Sequence, residues 1–181
     1  ALTGNSPPSI IVEIGMGSGA IAVALAAHCP DVEIYGTDIS LPALEVAAQN
    51  VGKHGYGQRV HLCSGPYFTG VPSELRGQVR VVVSNPPYLT RSEMAEAQPE
   101  LHREPSLALD GGEDGLAVYR QLVTEAADWL APGGLLALEI GSGQGPALID
   151  IINATGVFTP PEIRSDYAGH DRVVMTFSCK G

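Results

Sequence analysis

Residues 10–27 of the chain read IIVEIGMGSGAIAVALAA. The first five residues form a short β-branched run with one carboxylate, and the last eight are apolar residues that favour helix. The intervening segment 15–19 alternates glycine with other residues, which lets the backbone turn sharply and approach a ligand closely. The stretch therefore predicts a strand, a glycine loop and a helix whose N-terminus presents free N–H groups.

The same alternation of strand and helix continues along the chain. Apolar runs predict further strands at 32–37, 60–63, 79–84, 135–140, 162–166 and 172–177, and helices at 40–51, 116–130 and 146–153. Pro132-Gly133-Gly134 predicts a break before the fifth strand, and a hairpin at Ala168-Gly169-His170 predicts an antiparallel last strand. The predicted fold class is an α/β, doubly wound, Rossmann-like sheet that is mostly parallel.

The length and composition of the chain favour some classes of protein and disfavour others. It has 181 residues and a formal net charge of −10, which predicts one domain over residues 1–181, with 1–9 as a linker or a trimmed N-terminus. The acidic balance disfavours nucleic acid, because phosphate binding relies on clustered Lys and Arg. Widely spaced cysteines and histidines predict neither disulfides nor a metal site. No apolar run predicts a membrane span, so a soluble, cytoplasmic protein is expected.

A cofactor site is predicted at the ends of the first two strands. Asp38 ends the second strand about 20 residues after the glycine loop, where a carboxylate can accept hydrogen bonds from both ribose hydroxyls. The pattern therefore favours an adenosine-containing cofactor over a tight turn without a ligand. Because Gly15, Gly17 and Ala20 also satisfy the dinucleotide pattern GxGxxA, the glycines leave NAD enzymes and methyltransferases both open.

A reacting site is predicted at Asn85-Pro86-Pro87-Tyr88, which follows the fourth strand and so lies at the same edge of the sheet. An amide or aromatic amine nitrogen is a poor nucleophile, and methylating it requires two acceptors that hold its hydrogens. Asn85 supplies a side-chain carbonyl, and Pro86 a backbone carbonyl fixed by two locked φ angles. Tyr88 can pack on the planar acceptor and face a sulfonium charge. A proline-stiffened turn is the alternative interpretation.

A polar loop over residues 89–113 follows this tetrapeptide. Its length and its prolines predict a function rather than a mere connection, and we expect it to cover the acceptor site. Glu104, within this loop, is a candidate for orienting a substrate backbone, and a solvated loop carboxylate is the alternative.

Together these motifs resemble the HemK/PrmC family, the protein-(glutamine-N5) methyltransferases that modify the Gly-Gly-Gln loop of peptide-chain release factors. The resemblance is carried by EIGMGSGAIA at 13–22, VSNPPY at 83–88, EP at 104–105, GGEDGL at 111–116, LEIG at 138–141 with Gln144, and AGHDRVV at 168–174. It extends through nearly all of the chain.

The resemblance implies a class I methyltransferase sheet with S-adenosylmethionine as the cofactor and a release factor as the protein partner. The implied cofactor contacts are Glu13, Gly15, Met16, Gly17, Ser18, Gly19, Asp38, Ile39, Tyr67 and Asn85. The implied substrate contacts are Asn85, Pro86, Pro87 and Tyr88, to which the loop adds the candidate Glu104. Asn85, Pro86 and Tyr88 are the predicted catalytic residues.

Two departures from the family pattern leave other functions open. Pro66 and Arg80 stand where the family commonly has acidic residues. The alternative acceptor is therefore a small-molecule metabolite, and a non-catalytic binding subunit is a further hypothesis that the intact Asn85 disfavours. A DNA or RNA adenine methyltransferase would share the chemistry of the tetrapeptide, but the net charge disfavours it.

Overall fold

A computed structural model describes residues 8–96 and 108–179. Its strands are β1 (Ser9–Ile14), β2 (Val32–Asp38), β3 (Val60–Ser64), β4 (Val79–Ser84), β5 (Leu130–Glu139), β6 (Glu162–Ser165) and β7 (Asp171–Phe177). Its helices are α1 (Ala20–His28), α2 (Leu41–Lys53), α3 (Arg91–Glu96), α4 (Ala117–Trp129) and α5 (Gly145–Thr155), and a 3-10 turn spans Ser73–Leu75.

The strands form one seven-stranded sheet in the order β3-β2-β1-β4-β5-β7-β6. The first five strands run parallel, and β7 is antiparallel to both of its neighbours, β5 and β6. The backbone N–H of Asp166 donates to the carbonyl of His170 at 2.8 Å, which closes the turn between β6 and β7. The predicted fold class, hairpin and antiparallel last strand are therefore confirmed.

Helices cover both faces of the sheet, which is why its central strands are apolar runs rather than alternating ones. On one face, α4 and α5 bury a cluster that includes Tyr119, Leu122 and Leu148. On the other face, α1 and α2 bury a second cluster that includes Ala22 and Ala47. Strand β1, at the centre, is buried from residue 11 to residue 14.

Two helix starts follow local capping chemistry. The Ser40 hydroxyl accepts the N–H of Ala43 at 3.3 Å, which confirms the predicted cap of α2. Helix α3 was not predicted, although its start is a reciprocal cap: Thr90 Oγ1 accepts the N–H of Glu93 at 3.2 Å, and Glu93 Oε2 accepts that of Thr90 at 2.8 Å. Helix α3 lies in the first part of the loop that we expected at 89–113, of which residues 97–107 lie outside the described residues.

The predicted break at Pro132-Gly133-Gly134 is wrong. Helix α4 passes directly into β5 at Leu130, and the ladder with β4 takes up the additional residues as an irregularity, with Val79 opposite Leu130 but Val81 opposite Leu135. Gly134 is required there, because a Cβ would lie 2.9 Å from the carbonyl oxygens of Ala131 and Val79.

Candidate active site

The carboxyl ends of β1, β2 and β4 lie side by side. Ile14 pairs with Thr37 on one side and with Ser84 on the other. The buried Ser84 hydroxyl donates to the Ile14 carbonyl at 2.7 Å, which ties the last residues of β4 and β1 together. The register therefore brings the glycine loop, Asp38 and Asn85 to one edge, as the sequence predicted.

Three glycines of the glycine loop adopt left-handed backbone conformations. Gly15, Gly17 and Gly19 have φ values of 68°, 54° and 75°, a region that L side chains rarely adopt. A Cβ on Gly15 or Gly17 would meet nothing within 4 Å, so these two glycines are needed for conformation rather than for packing. Ser18, between the glycines, is exposed. The open side of the loop leaves room for a ligand against its backbone.

Met16 anchors this loop rather than lining it. Its side chain is buried, and a Cβ added to Gly36 would lie 2.5 Å from its sulfur atom. Its backbone N–H donates to the Thr37 carbonyl at 2.9 Å. The thioether therefore sits in the core against β2, and Met16 can contact a cofactor through its backbone rather than through its side chain.

Asp38 connects the glycine loop to the end of β2. Its Oδ2 accepts the N–H of Gly17 and its Oδ1 accepts the N–H of Ser40, both at 2.8 Å. Each oxygen has a lone pair left for a further donor such as a ribose hydroxyl. Ile39, the next residue, is 48% exposed and offers an apolar surface beside the carboxylate.

Glu13 is a buried carboxyl at the base of the loop. It accepts the N–H of Ala22 in the first turn of α1, where a carboxylate also meets the positive end of the helix dipole. Its Oε2 has no hydrogen-bond partner among the described residues. Burial, with a smaller contribution from the charge of Asp38, raises the pKa of Glu13 to about 8. The sequence placed Glu13 at the site but gave no sign of this raised pKa, which results from tertiary burial.

The tetrapeptide presents one free polar side chain on a rigid backbone. Asn85 is exposed, Pro86 is buried, and Pro87 and Tyr88 are half-buried. None of the residues that the structure describes hydrogen-bonds the Asn85 side chain. Its amide is therefore free to accept a hydrogen bond from a substrate.

Tyr88 is half-buried against the core cluster that contains Tyr119 of α4. Tyr119 donates its hydroxyl to the Glu139 carbonyl at 2.8 Å, and burial together with nearby Tyr88 and Glu139 raises its pKa well above the ordinary value. Tyr119 thus stays neutral at physiological pH and provides a fixed support beside Tyr88. Beyond Tyr88, the N–H of Leu89 donates to the Leu109 carbonyl at 3.0 Å.

Tyr67 is placed differently from the other predicted cofactor residues. The loop before it contacts the site, since the N–H of Gly65 donates to the Asp38 carbonyl at 3.0 Å. The Tyr67 side chain, however, is half-buried against the core on the α4 side, where burial and the charge of Glu125 raise its pKa. Tyr67 itself has a φ of 49°, unusual for a residue other than glycine.

Three further residues singled out from the sequence are Arg80, Pro66 and Glu104. Arg80 is exposed near the amino end of β4 and donates to the Pro132 carbonyl at 3.3 Å, so it lies at the opposite end of the strand from Asn85. Pro66 is exposed in the loop before Tyr67. Glu104 lies outside the described residues.

Within residues 8–96 and 108–179, no helix has both the length and the apolar character that crossing a membrane requires. That part of the chain also contains no group of three or more His, Cys, Asp or Glu residues arranged to hold a metal ion.

A glycine loop, a carboxylate after the second strand and an Asn-Pro-Pro-Tyr turn at one edge of this seven-stranded sheet define the methyltransferase class. The chain belongs to the methyltransferase small domain family, whose model matches residues 5–105.

Curated relatives carry a more specific name. The chain is 45% identical over 168 residues to the release factor glutamine methyltransferase of Moorella thermoacetica, and 40% identical over 169 residues to that of Gloeobacter violaceus. These matches cover 92% and 93% of this chain, so the resemblance predicted from the motifs is confirmed. The chain spans 58% of the length of each of these two relatives.

Solved structures share the fold at low identity. A methyltransferase from Pyrococcus furiosus superposes with a TM-score of 0.72 at 21% identity, covering 96% of this chain and 76% of that one. TrmN from Thermus thermophilus superposes with a TM-score of 0.65 at 18% identity, covering 95% and 44% of the two chains. These likenesses establish the methyltransferase fold and leave the acceptor open.

Proposed function

We propose that this chain transfers a methyl group from S-adenosylmethionine to the side-chain amide nitrogen of the glutamine in the Gly-Gly-Gln loop of a peptide-chain release factor. The observation that carries the proposal is the exposed amide of Asn85, which no described residue hydrogen-bonds and which is set on two consecutive prolines beside the glycine loop and Asp38. The relatives of this chain are named release factor glutamine methyltransferases, which supports the choice of acceptor.

The residues at the edge fit the proposed cofactor. The open side of the glycine loop, the remaining lone pairs of Asp38 and the exposed Ile39 would hold adenosine. The Glu13 oxygen that has no partner among the described residues would favour a nearby cationic group. When bound, S-adenosylmethionine supplies an electrophilic methyl group on a sulfonium sulfur, which departs with the electron pair of the broken bond.

The tetrapeptide supplies the groups that prepare the nitrogen. An amide nitrogen shares its lone pair with its carbonyl, so it attacks only when both of its hydrogens are held and the lone pair is directed at the methyl group. Asn85 Oδ1 would accept one hydrogen and the Pro86 carbonyl the other. As the nitrogen gains positive charge, these two oxygens stabilise it more strongly than they stabilise the resting amide. One of the two held hydrogens then leaves as a proton to solvent, to which the Asn85 side chain is exposed.

Of the two residues that help to motivate the small-molecule alternative, one lies away from the predicted site. Arg80 lies at the amino end of β4, at the other end of the strand from Asn85. Pro66 is exposed, and the Asp38 carboxylate still joins the glycine loop without an acidic neighbour at that position.

The experiment that tests the proposal is mass spectrometry of release factor after incubation with the chain and S-adenosylmethionine. The expected result is one added methyl group on the Gly-Gly-Gln glutamine, and no addition to a release factor in which that glutamine is replaced by alanine. Methylation at another residue, or unmodified release factor from a chain that binds the cofactor, would exclude this acceptor.

A further inference from the structure

One side-chain amide, that of Gln144, joins three loops around Tyr88. Gln144 Nε2 donates to the Tyr88 carbonyl at 2.9 Å and to the Gly115 carbonyl at 3.2 Å, and Oε1 accepts the N–H of Gly141 at 3.0 Å. Tyr88 follows β4, Gly115 precedes α4, and Gly141 follows β5. The amide therefore links three separate loops at the edge that carries the reacting tetrapeptide.

The chemistry of the three partners fixes the orientation of this amide. Two backbone carbonyls can only accept and the Gly141 N–H can only donate, so the nitrogen must face the first two and the oxygen the third. Gln144 also precedes α5 at the N-cap position, but its side chain forms no cap hydrogen bond with that helix. The amide of Gln144 thus forms its hydrogen bonds with the loops around Tyr88 and not with the helix.

Three glycines close the space around the same residue. A Cβ on Gly111 would lie 2.8 Å from Tyr88 Cα, one on Gly115 would lie 2.6 Å from the Tyr88 carbonyl oxygen, and one on Gly141 would lie 2.8 Å from Tyr88 Cδ2. Backbone therefore packs directly against both the main chain and the ring of Tyr88. In such a tight enclosure, the hydrogen bonds of Gln144 determine where the Tyr88 carbonyl sits.

We propose that Gln144 is a positioning residue for the reacting tetrapeptide, acting through the backbone of Tyr88. The inference rests on the proposed function, in which Asn85 and the Pro86 carbonyl hold the acceptor nitrogen. Because Pro86 and Pro87 have locked φ angles, a fixed Tyr88 carbonyl leaves little freedom for the two acceptors before it. Displacing such acceptors by about 1 Å can cost roughly a hundredfold in rate.

The test compares Gln144→Ala with the wild-type chain in methyl transfer to release factor. We expect kcat to fall about tenfold to a hundredfold while the dissociation constant for S-adenosylmethionine changes less than about threefold, because the cofactor residues are untouched. Gln144→Glu should be no more active, since a carboxylate offers the Tyr88 and Gly115 carbonyls no donor at neutral pH. A kcat within about twofold of wild type for Gln144→Ala would overturn the proposal.

Two control variants separate positioning from general damage. Gln121→Ala removes an exposed glutamine of α4 whose amide donates to Glu125 at 2.6 Å, and it should leave kcat unchanged. Ile152→Val trims a buried side chain of α5, about two helical turns from Gln144, and should moderately lower stability. If Ile152→Val lowered kcat as much as Gln144→Ala, the effect would be one of stability and the proposal would fail.

Amide hydrogen exchange tests the role of Gln144 without requiring that release factor be the methyl acceptor. The N–H of Leu89 bonds the Leu109 carbonyl and that of Gly111 bonds the Leu89 carbonyl at 2.8 Å, so both amides report on the segment that Gln144 holds. Exchange at both should accelerate in Gln144→Ala and stay unchanged in Gln121→Ala. A wild-type chain that leaves release factor unmodified would refute the proposed function alone, whereas unchanged exchange in Gln144→Ala would refute the positioning role whatever the acceptor.

Discussion

At the scale of the residue, Asn85 combines a side-chain amide that no described residue hydrogen-bonds with a backbone restricted on both sides. The two prolines after it restrict the main chain, and Ser84 before it is tied to β1 by its buried hydroxyl. A group held in this way is prepared for charge that develops during a reaction, because it does not need to reorganise when the reaction occurs.

Replacing Asn85 should therefore affect turnover far more than cofactor binding. Asn85→Ala removes the acceptor, and we expect methyl transfer to slow by about a hundredfold to a thousandfold, or roughly 3 to 4 kcal/mol. Asn85→Asp keeps an acceptor and should fall between Asn and Ala. Single-turnover kinetics with release factor measure the step directly. A rate for Asn85→Ala within about threefold of wild type would mean that Asn85 does not orient the nucleophile.

Glu13 makes stability depend on pH. Burial raises its pKa from 4.5 to about 8, so the folded chain binds this proton more tightly than the unfolded chain does. The free energy of unfolding should therefore fall as pH rises from about 4.5 to about 8, by the linkage between proton binding and stability.

Glu13→Gln should remove that dependence. The amide keeps an oxygen for the N–H of Ala22 and carries no charge, so we expect it to stabilise the cofactor-free chain by about 1 to 3 kcal/mol at pH 8 and to change little at pH 5. Thermal or denaturant unfolding at both pH values measures the effect. The exposed Glu45→Gln on α2 serves as the control, and equal pH slopes for wild type and Glu13→Gln would contradict the assignment.

At the scale of the element, the glycine loop is anchored by the buried side chain of Met16, which packs against Gly36 of the neighbouring strand β2. Gly36→Ala would place a Cβ 2.5 Å from the sulfur and 2.6 Å from the terminal methyl carbon of Met16. We expect the methionine to be displaced, with a loss of about 1 to 3 kcal/mol of stability. Affinity for S-adenosylmethionine should fall as well, because the loop moves with its anchor.

The matched control is Gly52→Ala in α2, where a Cβ would meet nothing within 4 Å. This change should leave cofactor affinity unchanged and should be neutral or stabilising by up to about 1 kcal/mol, since alanine favours helix. Calorimetric titration and thermal unfolding of both variants check the pair. Wild-type affinity in a folded Gly36→Ala variant would show that the loop is held independently of Met16.

Local chemistry allowed the elements and the edge of the site to be predicted from sequence. The apolar runs located all seven strands, Ser40 marked the start of α2, and the ends of β1, β2 and β4 brought Gly15, Asp38 and Asn85 together. These features depend on residues close in sequence and on the rule that parallel strands share a carboxyl edge.

Features that depend on long-range packing could not be predicted. The turn residues Pro132-Gly133-Gly134 suggested a break, but they lie within β5, and the ladder with β4 takes up the additional residues as an irregularity. The Met16 side chain turns into the core because Gly36 leaves space for it, and the bonds of Gln144 join residues 56 and 29 positions apart. No local pattern encodes such contacts.

At the scale of the whole molecule, topology separates two cofactor classes that the glycine pattern leaves open. The dinucleotide fold has the strand order 3-2-1-4-5-6. Here the antiparallel β7 lies between β5 and β6, in an order that superposes on solved methyltransferases. The methyltransferase fold thus supports the proposed S-adenosylmethionine over NAD.

Calorimetric titration of the wild-type chain with S-adenosylmethionine, its demethylated product and NAD tests the central claim most directly. The account predicts saturable one-site binding of the first two and none of NAD, with binding of the product weakened by about 1 to 3 kcal/mol in Asp38→Ala through loss of charge-assisted ribose hydrogen bonds. Tight binding of NAD with no response to S-adenosylmethionine would contradict it.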